Sequence, residues 1–290
     1  MKKDFSRRNF LQTAVISASA VIIPAYTLAA VKQNKGDSII LNKNPLKLGM
    51  MTYSLGKAWD IETIIKNCNE TKFQHVELRT THAHGVEVTL AAAERMAVKK
   101  RFEDAGLAIS LASGFEYNFS DQAKVKKSIE GTKEYILLAR DIGAIGVRVF
   151  GSTTDDEKLL TQIGKALAEV GEFGHNNGVE VRVCNDGPTI LMLKKNIDYS
   201  QSPYVYVNWN CPMSDIEGEG FEANFNSVRH LIRNIHIREL TNEYPWRQFF
   251  SLLSKSGYKG YCDAEVNGSA DPIRFMKYYR ALFLALQDAI

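Results

Sequence analysis

What the chain lacks narrows the field first. Its four cysteines, Cys68, Cys184, Cys211 and Cys262, show no Cys-x-x-Cys motif and no regular spacing, so a disulfide framework has no support in 290 residues. No glycine-rich turn of the dinucleotide or P-loop kind follows the first strand-like segment, where Thr52 to Trp59 read TYSLGKAW. Charge of one sign is scarce as well. The net charge is +3, and Lys2, Lys3, Arg7 and Arg8 against Asp4 account for all of it. The rest of the chain is therefore neutral, which argues against a nucleic-acid binder. No run reaches the roughly 18 apolar residues of a membrane span. The longest near the start, Thr13 to Ile23, carries Ser17 and Ser19 and meets Pro24.

What is present begins with a basic start followed by SRRNFLQ at Ser6 to Gln12, the modest apolar run, and small residues at TLAA, Thr27 to Ala30. This resembles a twin-arginine export signal, and residues 1–30 are set aside from the fold. The expectation is export to the periplasm, with an uncleaved anchor as the alternative. No cysteine precedes Cys68, so a lipidated N-terminus is not supported. A polar lead-in spans 31–45, and 46–290 is expected to be one domain.

Over that domain strand-like and helix-like patterns alternate. LKLGMMTYSL (Leu46 to Leu55) precedes a helix over Asp60 to Thr71, and HVELRT (His75 to Thr80) one over Leu90 to Ala105. LAISLASG (Leu107 to Gly114) leads to Asp121 to Ile142, and AIGVRVFG (Ala144 to Gly151) to Asp155 to Asn176. VEVRVCN (Val179 to Asn185) then leads to Thr189 to Asn196, and YVYVNWN (Tyr204 to Asn210) to Phe221 to Val228. IRNIHIRE (Ile232 to Glu239) precedes Trp246 to Ser256, and KGYCDAEV (Lys259 to Val266) precedes Asp271 to Ala289. Strands alternating with helices imply parallel pairing through helical crossovers. Eight such units predict an α/β fold, a single-domain (β/α)₈ TIM barrel whose chemistry sits at the C-terminal strand ends.

Those ends are rich in ionisable and polar groups, which points to a polar small molecule. They comprise Tyr53, Glu77, Arg79, His82, His84, Glu116, Arg148, Cys184, Asp186, Asn208, Asn210, His236, Arg238, Glu239, Glu265 and Asn267. His236 and Glu265 end neighbouring strands and suit one divalent ion, manganese, zinc, cobalt or magnesium, if any is bound. Arg148 and Arg182 lie inside apolar strands, where an unpaired charge is costly. They either meet substrate at the mouth or pair with Glu77 or Asp186. Trp246 offers a face for sugar stacking, whereas Trp209 is expected in the core.

HVEL at His75 to Leu78, GAIGVRVFG at Gly143 to Gly151, NIHIRE at Asn234 to Glu239 and GYKGYCDAEV at Gly257 to Val266, in this order, resemble the xylose isomerase-like TIM-barrel family of sugar phosphate isomerases and epimerases. The resemblance implies a metal held by a glutamate, an aspartate, a histidine and a glutamate ending strands five to eight. His236 and Glu265 match the last two, while Cys184 stands for the first glutamate and Asn210 for the aspartate. Three outcomes follow: Asp186 swings in, Cys184 joins His236 and Glu265 around zinc, or no metal binds and Cys184 is a small buried residue. Cys184 and Cys211 end adjacent strands, which leaves a disulfide open.

The implied activity is proton transfer on a sugar or keto-sugar, by isomerisation, epimerisation or elimination. Glu265 serves as base and His236 or Glu239 as acid, with Glu77, His82, His84, Arg148, Arg182 and Trp246 on the substrate. A carbohydrate-binding barrel without turnover is the alternative, and a metal-dependent hydrolase or endonuclease the third reading. The expected partner is a small carbohydrate, with no nucleic acid and no membrane beyond the signal; a homo-oligomer stays open.

Overall fold

The computed structural model describes residues 44–288; the expected leader and all but the end of the lead-in lie outside them. The strands are β1 Lys47–Met51, β2 His75–Arg79, β3 Ala108–Ala112, β4 Gly146–Phe150, β5 Glu180–Cys184, β6 Val205–Trp209, β7 Ile232–Ile237 and β8 Tyr261–Ala264. Between and after them run α1 Ile61–Thr71, α2 Ala92–Asp104, α3 Gln122–Ile142, α4 Glu157–Asn176, α5 Ile190–Ser200, α6 Phe221–Val228, α7 Trp246–Ser256 and α8 Pro272–Ala285. The strands pair in chain order, all parallel, and β1 closes on β8. This is the predicted (β/α)₈ barrel.

The helix starts follow from local chemistry. Asp60, Asp121, Asp156, Thr189 and Asp271 each accept a backbone N–H of the first turn, the groups a helix leaves without partners. Two features were not in the sequence pattern. Helix α5 continues past Asn196 to Ser200, and a short 3₁₀ turn, Met213–Ile216, follows β6.

Strand side chains alternate between two faces. One face of each strand is apolar and packs outward on the helices, as with Leu48 and Met50, Val76 and Leu78, Val147 and Val149, and Val181 and Val183. The other face is polar and meets its counterparts across the barrel. His75 Nδ1 pairs with Asp263 Oδ1 at 2.7 Å and its Nε2 with Ser110 Oγ at 2.9 Å. Arg182 reaches the same Ser110 at 3.1 Å and is held by Glu180. Asn234 donates to Asp263 at 2.8 Å and to Asn208 at 3.0 Å. Barrels of this class usually fill the interior with branched aliphatic layers; here a hydrogen-bonded polar column takes that place.

Two glycines make room for it. A Cβ at Gly49 would lie 2.0 Å from Asp263 Oδ1 and 2.8 Å from the His75 carbonyl, and one at Gly146 would lie 2.8 Å from Arg182 Nε. Gly49→Ala should therefore cost about 1–3 kcal/mol by overpacking, read from chemical denaturation. An unchanged midpoint would show that the column yields freely at its base.

Candidate active site

Strand alternation carries the inward row of each strand up to the C-terminal mouth. Asn234 and His236 of β7, Asp263 and Glu265 at β8, and His75 and Glu77 of β2 are each two residues apart and share a face. Near the top, His236 reaches across from β7 and its Nε2 donates to Glu77 Oε2 at 2.5 Å, both side chains being buried. Its Nδ1 faces Asn210 Oδ1 at 3.3 Å and Glu265 Oε2 at 3.6 Å. Both ring nitrogens thus look at acceptors. Burial works to strip the ring of its proton, but Glu77, Cys184 and Glu265 outweigh it and hold the His236 pKa well above its usual value. Glu77 is the complement: burial opposes its charge, yet His236, Arg148 and Arg182 hold its carboxyl below the usual range.

Beside this pair stands Glu265, whose buried Oε2 has no hydrogen-bond partner. It faces Arg238 Nη1 at 3.3 Å as an ion pair, and Arg238 in turn approaches Asp186 at 3.7 Å and donates to the Asn210 carbonyl at 3.2 Å. Cys184 completes the cluster, with Asn208 Nδ2 directed at its sulfur at 3.6 Å. All four cysteines are free, Cys184 and Cys211 included. Behind the mouth, Asn185 donates to Asp215 at 3.2 Å and accepts the Asn210 N–H at 2.6 Å, locking the end of β5 to that of β6. Left-handed backbone at Thr81 (φ 66°) and Cys211 (φ 51°) falls in the loops after β2 and β6, where barrel sites keep strained residues.

The other expected residues are distributed unevenly. His82 is buried and its Nδ1 lacks a partner, leaving a nitrogen for a ligand. His84 instead spends both nitrogens on the loop itself, donating to the Arg79 carbonyl at 2.8 Å and accepting from Val86 N at 3.0 Å. Arg148 is buried, donates to the Ser113 carbonyl at 2.8 Å and packs over Phe150, while Arg182 sits lower, on Glu180 and Ser110. Neither arginine is hydrogen-bonded to Glu77 or Asp186 among the described residues.

Three of the expected residues lie apart from the cluster. Trp246 is 3% exposed, stacked between Tyr244 and Phe250 with its N–H on Asn242, so no open face remains for a sugar. Asp186 is 55% exposed and turned to Arg238, away from a ligand role beside His236. Glu239 is exposed beyond β7 and makes no hydrogen bond or ion pair to His236 or Glu265 among the described residues. The sequence reading passed over His75, Ser110, Asn234 and Asp263. For His75, Asn234 and Asp263 the signal was a spacing of two from Glu77, His236 and Glu265; Ser110 had no such neighbour.

Two donor sets bear on a metal. Glu77, His236 and Asp263 offer ligand atoms within 4.8 Å of one another. Those atoms already hold partners, however: Glu77 takes His236, and Asp263 takes His75 and Asn234. The strand-end set of Cys184, Asn210, His236 and Glu265 brings one carboxylate, an amide, a thiol and an imidazole whose nitrogens both face acceptors. A hard divalent ion asks for several carboxylate oxygens, and the set does not fit one. A concavity of about 1100 Å³ opens at the opposite end of the barrel. Its lining includes Lys47, Lys72, Lys259 and Arg280 but no histidine or carboxylate.

Residues 65–192 match the xylose isomerase-like TIM barrel family. No curated protein matches the chain by sequence. Among solved structures, the chain is similar to an L-ribulose 3-epimerase, with a TM-score of 0.71, 19% identity, and 84% of this chain and 95% of that one covered. It is also similar to the 3-keto-D-glucoside 4-epimerase YcjR from E. coli, with a TM-score of 0.68, 14% identity, and coverage of 83% and 99%. A third is the probable 3-DHS dehydratase AsbF from Bacillus anthracis, with a TM-score of 0.66, 13% identity, and coverage of 81% and 99%. At these identities the likeness is one of fold.

Asp215 gives the support of the mouth a measurable signature. Burial raises its pKa from 3.8 to about 7, against donors from Tyr244, Trp209 and Asn185. The folded chain then keeps a proton that the unfolded chain releases near pH 4, so Asp215 subtracts stability progressively between about pH 4 and 7. Relative to wild type, Asp215→Asn should gain on the order of a few kcal/mol over that interval, measured by urea unfolding at a series of pH values. A pH-independent difference would remove the assignment.

Proposed function

We propose that this barrel is an enzyme acting on a sugar or keto-sugar by proton transfer beside a carbonyl. The observation that carries the reading is the unbonded, buried Glu265 oxygen lying 3.6 Å from His236 Nδ1 at the C-terminal mouth. Sugar epimerases and a dehydratase of similar fold support it.

Glu265 supplies the base that removes a proton from the carbon next to the carbonyl. His236, kept charged by Glu77, supplies the acid that protonates the carbonyl oxygen as charge develops there. The imidazolium is prepaid by its buried counter-ion and needs no reorganisation at the moment of transfer. His82, whose buried Nδ1 has no hydrogen-bond partner, supplies a contact to a sugar hydroxyl. Cys184 stands where a second carboxylate would face the opposite side of the substrate. With one base on one face, isomerisation or elimination is favoured over a two-base epimerisation. The Arg7–Arg8 segment would carry the folded enzyme to the periplasm, where an unphosphorylated sugar is the fitting substrate.

The losses at Cys184 and Asn210 favour a second reading, a barrel that binds carbohydrate without turnover. The two separate in D₂O. On incubation with a panel of keto-sugars, the wild type should wash deuterium into the carbon beside the carbonyl, seen by proton NMR. Glu265→Gln should slow this at least about 100-fold with binding retained. Saturable sugar binding with no exchange would shift the conclusion to the binding barrel.

A further inference from the structure

We propose that Arg238 is the built-in cation of the strand-end site, standing in the charge role of a divalent ion and keeping such an ion out. The guanidinium touches three of the four strand ends that converge there. Nη1 faces Glu265 after β8 at 3.3 Å, Nε donates to the Asn210 carbonyl after β6 at 3.2 Å, and Nη2 faces Asp186 after β5 at 3.7 Å. The fourth end, β7, contributes His236, two residues before Arg238 on the same inward row.

The charges balance in the same sense. A thiol and an amide occupy the positions of Cys184 and Asn210, and Glu77 is taken up by His236, so the carboxylates left to face a cation are Glu265 and Asp186, and the fixed charge of Arg238 lies between them. Guanidinium does not lose its proton at physiological pH, and its planar fork pairs with carboxylates without the dehydration a metal ion requires. Placing a divalent ion against Glu265 would set it beside that fixed positive charge, a repulsion of several kcal/mol at the dielectric of a part-buried site. Arg238 is 35% exposed, so it can be replaced without opening the core. The inference shares its location with the proposed active site but requires no turnover, and its failure would leave the proton-transfer reading untouched.

Metal alone is the probe. Manganese, cobalt and zinc are titrated calorimetrically into chelator-treated full-length protein, with metal content read by elemental analysis after dialysis. Wild type and Arg238→Lys should bind less than about a tenth of an equivalent at micromolar metal, whereas Arg238→Gln should gain zinc affinity at least tenfold. Arg238→Gln combined with Cys184→Glu and Asn210→Asp should bind one manganese at least about 100-fold more tightly than wild type. One equivalent bound by the wild type and lost in Glu265→Gln overturns the proposal. So does the absence of any gain in both Arg238→Gln proteins when circular dichroism shows them folded.

Discussion

The contact between His236 and Glu77 joins β7 to β2 across the barrel, and the polar interior is organised around it. Two buried titratable groups at 2.5 Å, each biased by the other toward its charged form, leave each other little freedom to be replaced singly. Breaking such a pair by removing one partner typically costs about 3–5 kcal/mol, because the other charge is left uncompensated. Below the pair, His75, Asp263 and Asn234 continue the column, and Gly49 and Gly146 hold open the space it needs. Above it, the same histidine turns its other nitrogen toward Asn210 and Glu265. One side chain therefore couples the stability of the barrel to the chemistry of its mouth, and the outward apolar faces are left to bind the helices.

The fold was legible in the sequence because its two periodicities are clean. Strands β4, β5 and β6 carry paired valines on one face, and five of the helices open on Asp or Thr caps. The candidate site was legible in part. His236, Glu265, Cys184 and Asn210 do converge, and their order along the strands indicated as much. Two kinds of information were not carried by strand ends alone. Alternation by two places Asn234 below His236 and Asp263 below Glu265, which a search restricted to the rim overlooks. The direction of a loop side chain was hidden as well, since His84 and Trp246 are satisfied by neighbours, Arg79, Val86, Tyr244 and Phe250, that the local pattern does not specify.

The mouth differs from a carboxylate-rich metal cage in a coherent way. A thiol at Cys184, an amide at Asn210 and a guanidinium at Arg238 lower the negative charge and supply a positive one, while Glu265 keeps an oxygen free of hydrogen bonds. A carboxylate beside an imidazole remains after those changes, as the proposed proton transfer requires. The electrostatics that would otherwise fall to an ion are distributed over residues fixed by the backbone, so preorganisation is provided by the fold itself.

The most direct test of this account is the protonation state of His236 in the wild-type protein, read by nitrogen-15 NMR of the imidazole ring. The account predicts protons on both ring nitrogens at pH 7, with the ring turning neutral when Glu77 is replaced by Gln. A neutral ring in the wild type at pH 7, with a bare Nδ1, would contradict it and would return that nitrogen to the role of a metal ligand.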